Sequence, residues 1–523
     1  MITIPKLPDV PEEQRTELVG TLLDVIRLQQ EALQQLRDEI ARLKGQKPKP
    51  TIKPSKLEQG LQNEQKGAGT GKRPGSLKRS KTEELQIHET KRIRPEGIPP
   101  GSRFKGYQDY VVQDILIKLH NTTYRLESWQ TPAEEYLIGK LPEEINSHFG
   151  PTLITYILHQ YYHAHVTQPL ILEQLVEFGV MISAGQINRI ITEDKEQYHF
   201  EKDDILKAGL EVSGHINVDD TGARHRGRNG YCTHIGNALF AWFQSTEKKS
   251  RINFLELLRA GHGDYVVNLD AVNYMEAQGL PIIQLAKFDS VYNASFENLP
   301  KWEETLRTLH ITDERHVRIA TEGALLGSVL EHGFNKEMVI VSDDAGQFNV
   351  LLHALCWVHA ERTINKLVGI SSKATEEIEE VRGNIWDFYA ALKDYKKDPS
   401  KQQKVLLEKR FDEIFTANTF CVSLKLALQR LHNNKKELLL VLEHPDIPLH
   451  NNLSENDIRE YVKKRKISGS TRSDSGRRCR DTFTSLKKTC RKLGISFWEY
   501  LQDRVTHRHA IARLPDLIRS HSS

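Results

Sequence analysis

At 523 residues the chain is longer than the ~250–300 residues at which a single hydrophobic core stops growing, so two or more domains are expected. Its 38% hydrophobic and 27% charged residues are ordinary for a protein folded in water, and apolar runs such as LITYIL at 153–158 are far shorter than the ~20 residues of a membrane helix, so no membrane partner is expected. Five widely spaced cysteines without a C-x-x-C pair argue against a disulfide scaffold and a cysteine zinc site, and MITIPKLPDVPEEQ at the start lacks the basic and apolar regions of a secretion signal. A reducing cytoplasm is the expected compartment.

The net charge of +3 is a sum of unlike parts. Residues 45–105 carry 15 Lys and Arg against 6 Glu, and residues 459–513 carry 16 against 5 acidic residues, which leaves the other 407 residues at −17. Two basic blocks on an acidic body suit a protein that binds a polyanion, because lysine and arginine gain affinity by releasing counterions from phosphates.

In chain order, residues 12–44 read as one helix. Leu22, Gln29, Leu36 and Leu43 recur every seven positions with Ile26, Leu33 and Ile40 between them, the seam of a short coiled coil through which the chain is expected to form a homo-oligomer. Residues 45–105 hold 15 Gly or Pro in 61 positions, which predicts a flexible basic linker with clusters GKRPGSLKRSK and KRIRP. From 107 to about 201 the pattern is helical. Within it, PLILEQLVEFG at 169–179 and VMISAGQINRIIT at 180–192 read as helix, glycine turn and helix with Ser183 as N-cap, a helix-turn-helix candidate for DNA contact. His159, His163 and His165 read as core-edge histidines, since no other ligand type clusters with them.

Beyond residue 210 the period becomes that of strands. HINVD at 215–219, YCTHIGNALFAWFQS at 231–245 and residues 251–258 predict an antiparallel meander whose first strand is tipped by Asp219. EMVIVS at 337–342 is apolar on both faces, as a buried parallel strand would be, and runs into Asp343 and Asp344, with 349–367 as the following helix. Strand ends of this kind are where α/β sheets place their sites. HNNLSENDIREYVKKRKISG at 450–469 predicts a helix capped by Ser454, with Ile458 and Val462 inward, Glu455 in the first turn and Arg459, Lys463, Arg465 and Lys466 after it. Joined, Asp219, Asp343 and Glu455 offer hard oxygen ligands that select Mg²⁺ or Mn²⁺. Two such ions roughly 3.5–4 Å apart can drive an in-line displacement at a phosphodiester.

The sequence resembles transposases of the insertion sequence 66 family. The likeness is carried by VDDTG at 218–222, VSDDAGQF at 341–348, CWVHAER at 356–362, and NNLSENDIR at 451–459 leading to KKRKISGS at 463–470. GKLPEE at 139–144, QPLILEQLVEFGVMIS at 168–183 and TFTSLKKTCRKLGISFWEYL at 482–501 extend it over most of 106–505. The resemblance implies an α/β architecture: an RNase H-like mixed sheet with helices and large helical insertions, preceded by a helical DNA-binding region and the N-terminal coiled-coil helix. The domains would be 1–44, 45–105, 106–205 and a catalytic domain at 206–505, with insertions at about 261–336 and 370–450 and a tail at 506–523. The family's cysteine-based zinc segment has no counterpart, because 45–105 contain no cysteine.

The family's Asp, Asp, Glu triad would fall on Asp219, Asp343 and Glu455, which would hold Mg²⁺ or Mn²⁺, as two ions. Asp220 and Asp344 are adjacent alternatives, and one of each pair serves because neighbours on a strand face opposite ways. His359 and Arg362 match a family motif and would orient the site or touch DNA, with Cys356 and Trp357 packing beneath. Arg459, Lys463, Arg465, Lys466 and Arg472 would lie against phosphates. The implied activity is cleavage of transposon ends and strand transfer into target DNA, in a bacterial cytoplasm beside the nucleoid, with accessory proteins of the same element as further partners. A catalytically inactive DNA-binding derivative and a purely hydrolytic nuclease of the same fold are the competing readings.

Overall fold

The computed structural model describes residues 86–521 apart from 101, 103–106, 108–110, 143, 144 and 146, so the heptad segment 12–44 and most of the basic linker lie outside the described residues. The chain divides into two compact units, Met1–Ile117 and Lys118–Ser523. In the first, residues 86–100 are exposed and carry no helix or strand.

The second unit opens on a hairpin, β1 (Ser128–Gln130) and β2 (Tyr136–Ile138). The expected helix does not begin until α1 (Pro151–Tyr162), because the run before it is rich in β-branched residues and is closed by Thr131 and Pro132 at a turn. Then follow α2 (Gln168–Glu177), α3 (Ala184–Thr192) and α4 (Glu196–Val212). Ser183 caps α3 as its sequence predicts, its Oγ accepting from the Gln186 amide at 3.2 Å, and Ile187, Ile190 and Ile191 turn one face of α3 into the core.

One mixed five-stranded sheet organises the rest, in the order β5-β4-β3-β8-β9. β3 (His215–Gly222), β4 (Tyr231–Gly236) and β5 (Ala241–Thr246) form an antiparallel meander, while β8 (Val339–Ser342) and β9 (Leu352–Leu355) run parallel to β3. The 231–245 run is two strands. The turn between them is so tight that a Cβ at Gly236 would stand 2.5 Å from the Phe240 carbonyl oxygen. Two expectations change here. Residues 251–258 are a helix, α5 (Arg251–Leu258), because Ser250 caps it and Phe254, Leu255 and Leu258 recur on one face. The run at 349–367 begins with β9, whose His353 is buried against Ser342 of β8, before α9 (Trp357–Asn365) starts.

Between β5 and β8 lie β6 (Tyr265–Val267), α6 (Leu269–Ala277), β7 (Ala294–Phe296), α7 (Leu299–Thr308) and α8 (Glu314–Glu331), packed around fully buried Trp302. After α9 come α10 (Ser372–Tyr395), α11 (Lys401–Phe415) and α12 (Val422–Asn433), joined to the sheet domain through Trp357, whose ring meets Phe388 at a tilt and Phe411 edge-on. α13 (Asn452–Ser468), α14 (Asp474–Lys492), α15 (Phe497–Val505) and α16 (Leu514–Ser520) complete the fold.

α14 solves the problem of the sheet's open edge. Asp481, Ser485 and Thr489, spaced four apart on one face, accept from the amides of Ser245, Phe243 and Ala241 on β5 at 2.7, 2.9 and 3.2 Å. The free N–H row of an edge strand is thereby covered by side chains rather than left for another strand. Among the described residues no helix is long and apolar enough to cross a membrane.

Candidate active site

The site is built where β8 ends beside β3, its neighbour in the sheet, which runs on to Gly222. The register pairs Asn217 of β3 with Val341 of β8 and Asp219 with His234 of β4, so two residues further along each parallel strand stand Asp219 and Asp343. Asp219 is the most perturbed acid of the group. Burial pushes its carboxyl up to about 7; the Asp220 amide, donating to Oδ1 at 2.7 Å, opposes this, and the charges of Asp343, Asp220 and Glu455 reinforce it. Acids that repel one another in a half-buried place suit a cation.

Their neighbours have other duties. Asp220 accepts from Thr233 Oγ1 at 2.5 Å and from Gln347 Nε2 at 2.9 Å, and burial raises its pKa too. Asp344 faces away, held by Arg430 Nε at 3.0 Å and Asn434 Nδ2 at 3.3 Å. Asp343 bends back to accept from the Ala345 amide at 3.2 Å.

Glu455 arrives on the first turn of α13. Asn451, not Ser454, is the residue before the helix; Ser454 is already helical, and its Oγ lies 2.6 Å from Nδ1 of the buried His234. Asn451 is fully buried and ties the elements together. Its Nδ2 donates to the Val218 carbonyl at 2.8 Å, its Oδ1 accepts from Asn217 Nδ2 at 2.8 Å, and its amide donates to Cys356 Sγ at 3.2 Å. The strand of Asp219, the helix of Glu455 and the start of α9 thus meet at one residue. Sequence reasoning misses it, although the paired asparagines at 451–452 are visible.

Glu455 is engaged by two guanidinium groups, Arg362 Nη1 at 3.1 Å and Arg459 Nη2 at 3.7 Å, with His359 Nε2, whose ring burial keeps from protonating easily, at 3.6 Å. Its partner residues Arg362 and His359 both come from α9. Cys356 and Trp357 are buried below them. Among the described residues no three His, Cys, Asp or Glu side chains are gathered closely enough to hold a metal ion, and Glu455 is paired with Arg362 instead. The donor chemistry of the acids nevertheless fits a hard divalent cation, since all three offer carboxylate oxygens and the charges of Asp343 and Glu455 reach Asp219.

The basic residues sort into two kinds. Arg459, Lys463, Lys466 and Arg472 are exposed, and Glu455, Arg459, Lys463 and Lys466 follow one another on one face of α13 by their spacing. Arg465 is only half exposed and donates to Thr221 Oγ1 at 3.2 Å and to the Gly222 carbonyl, bracing the end of β3. Lys464, Arg480, Lys487 and Lys488 are buried. Lys464 lies over the Tyr161 ring at 3.5 Å, and burial lowers its pKa to about 7. With Arg504, five of the 16 basic residues of the second block are therefore internal.

The helix-turn-helix candidate is poorly charged for DNA. Between 151 and 195 Arg189 is the one exposed Lys or Arg, while Glu173, Glu177, Glu193 and Asp194 are all exposed. The three histidines here are structural: His159 and His163 stack at 4.4 Å, and His165 pairs with Glu460 at 2.7 Å.

The sequence profile described as Transposase IS66 family matches residues 304–478, a stretch that contains Asp343 and Glu455 and begins after Asp219. The chain is also 45% identical over 317 residues to the uncharacterized protein y4jO of Sinorhizobium fredii, an alignment covering 60% of this chain and 99% of that relative.

Proposed function

Since the chain belongs to the transposase IS66 family, we propose that it is a DNA transposase in which Asp219, Asp343 and Glu455 form the catalytic acids. The observation that carries this reading is Asp219 on β3, two residues past the last pairing with β8, its carboxyl raised to about 7 by burial and by the charges of Asp343 and Glu455. The sheet order supports an RNase H-like core: three antiparallel strands followed by two parallel ones, with the first strand central.

In this reading Asp219, Asp343 and Glu455 would hold Mg²⁺ or Mn²⁺, which when bound supplies Lewis-acid activation of the attacking water or 3′-hydroxyl and of the leaving oxygen. The chain's own groups do the rest. Arg459, Lys463, Lys466 and Arg472 take backbone phosphates and set the register of the duplex, which positions it without reading its sequence. Asn451 keeps β3 and α13 in fixed relation, so the acids do not drift. Arg465 and Gln347 brace Thr221 and Asp220 beside Asp219.

Strand cleavage and joining on terminal-repeat DNA with Mg²⁺ test the reading. Asp219→Asn and Glu455→Gln are each expected to remove both activities, and undiminished activity in either would remove that acid from the site. Cut ends without joined product would instead favour a hydrolytic nuclease.

A further inference from the structure

Resting on the reading of the acids above, we propose that Arg362 is a phosphate-binding residue that doubles as a latch on Glu455: a DNA backbone phosphate takes the guanidinium and frees the carboxylate for the metal. The site is divided into two halves of opposite imbalance. On the side of β3 and β8, Asp219, Asp220 and Asp343 accept only from neutral donors, the Asp220 and Ala345 amides, Thr233 and Gln347, and among the described residues none of the three forms an ion pair. On the side of α9 and α13, one carboxylate, Glu455, is shared by two guanidinium groups, Arg362 at 3.1 Å and Arg459 at 3.7 Å.

Exposure gives the direction of exchange. The Glu455 side chain is 17% exposed, whereas those of Arg362 and Arg459 are 42% and 68% exposed, so the carboxylate lies beneath guanidinium groups that face solvent. A phosphate arriving from outside meets the arginines first. It offers each a doubly accepting oxygen pair, the geometry for which a planar guanidinium is suited, and it carries charge that competes directly with Glu455. Lys366, exposed at the end of α9 and within electrostatic range of His359, adds to the cationic mouth. Phosphate then satisfies the cation-rich half, and the freed Glu455 joins the acid-rich half.

The consequence is ordered assembly, with tight metal binding following DNA. This is measurable without turnover, by titrating the full chain with Mn²⁺ and following the free ion by electron paramagnetic resonance, with and without a short DNA duplex. A half-exposed ion pair predicts an effect of about fivefold: the duplex tightens Mn²⁺ binding of the wild type by that factor, and Arg362→Gln tightens it as much with no DNA present and removes the response to DNA. Arg362→Lys keeps a charge at the latch, retains weak binding and controls for folding alongside circular dichroism. Two results overturn the latch alone: Mn²⁺ affinity of Arg362→Gln equal to wild type without DNA, or no change in wild-type affinity on adding DNA, while Glu455→Gln still weakens binding with the duplex present. If, with the duplex present, Glu455→Gln binds Mn²⁺ as the wild type does, the acid assignment itself fails and the latch with it.

Discussion

Arg430 of α12 donates from Nε to Asp344 Oδ2 at 3.0 Å, with Nη2 on the same oxygen, and so fastens the helical segment between β9 and α13 to the residue next to Asp343. The pair is exposed on both sides, 61% and 44%, so its worth to global stability is small, ~0.5 kcal/mol. Its effect is local. Arg251 holds the same loop from the other flank, donating to the Gly346 carbonyl at 2.8 Å. Arg430→Glu and Asp344→Arg are each expected to speed amide exchange across 343–350 and to lower cleavage about threefold, on the order of the worth of such a pair. The exchanged double variant should recover most of the loss; no recovery would show that the two side chains act independently.

Asn451 has a heavier load. Truncation to Ala leaves Asn217 Nδ2 and the Val218 carbonyl without partners in a dry place, at ~1–3 kcal/mol each, so Asn451→Ala should lose ~2–6 kcal/mol in urea unfolding. Asn451→Asp should be no better, because the group facing Val218 must donate. A loss below ~1 kcal/mol would mean that water replaces the side chain.

What is legible in the sequence is local. The apolar run before Asp343, the meander behind Asp219, the Ser183 cap and the inward Ile458 all follow from period and capping, which depend on near neighbours. What stays hidden is set by distant partners. Lys464 and Arg480 look like their exposed neighbours in a string of basic residues, and only the Tyr161 and Tyr461 rings make them internal. Glu455 reads as a metal ligand by motif, while its pairing with Arg362 joins residues 93 apart. The helix at 251–258 reads as a strand because its apolar residues suit either element, and Ser250 decides the matter.

The two kinds of basic residue should separate in a salt titration of DNA binding. Removing one phosphate-bound cation lowers the slope of log K against log salt by ~0.9, so alanine at Arg459, Lys463, Lys466 or Arg472 should reduce it by about that amount and weaken all DNA sequences alike. Alanine at Lys464 or Arg480 should lower the melting temperature and leave the slope unchanged, since both are buried. A changed slope for Lys464→Ala would place that ammonium on DNA and contradict its burial over Tyr161.

Acid should unfold the protein early, and three histidines set the window. Burial lowers His159, His199 and His353 to about 4, assisted by His163 and Lys487 at the first, Arg478 at the second and Arg251 at the third. A depressed folded pKa means that the unfolded chain binds the proton first. The stability these neutral rings contribute is complete above the unfolded value of ~6.5 and is lost as pH falls toward about 4. Within that window each group steepens the fall toward a limit of ~1.4 kcal/mol per pH unit, less at half-buried His159. Urea midpoints taken at pH 7, 5.5 and 4.5 should therefore drop progressively. His353→Asn should flatten the drop while costing stability at pH 7, because the ring's hydrogen bond with Ser342 Oγ at 2.7 Å is gone. A midpoint that holds constant from pH 7 to 4.5 would mean these rings are protonated in the folded protein.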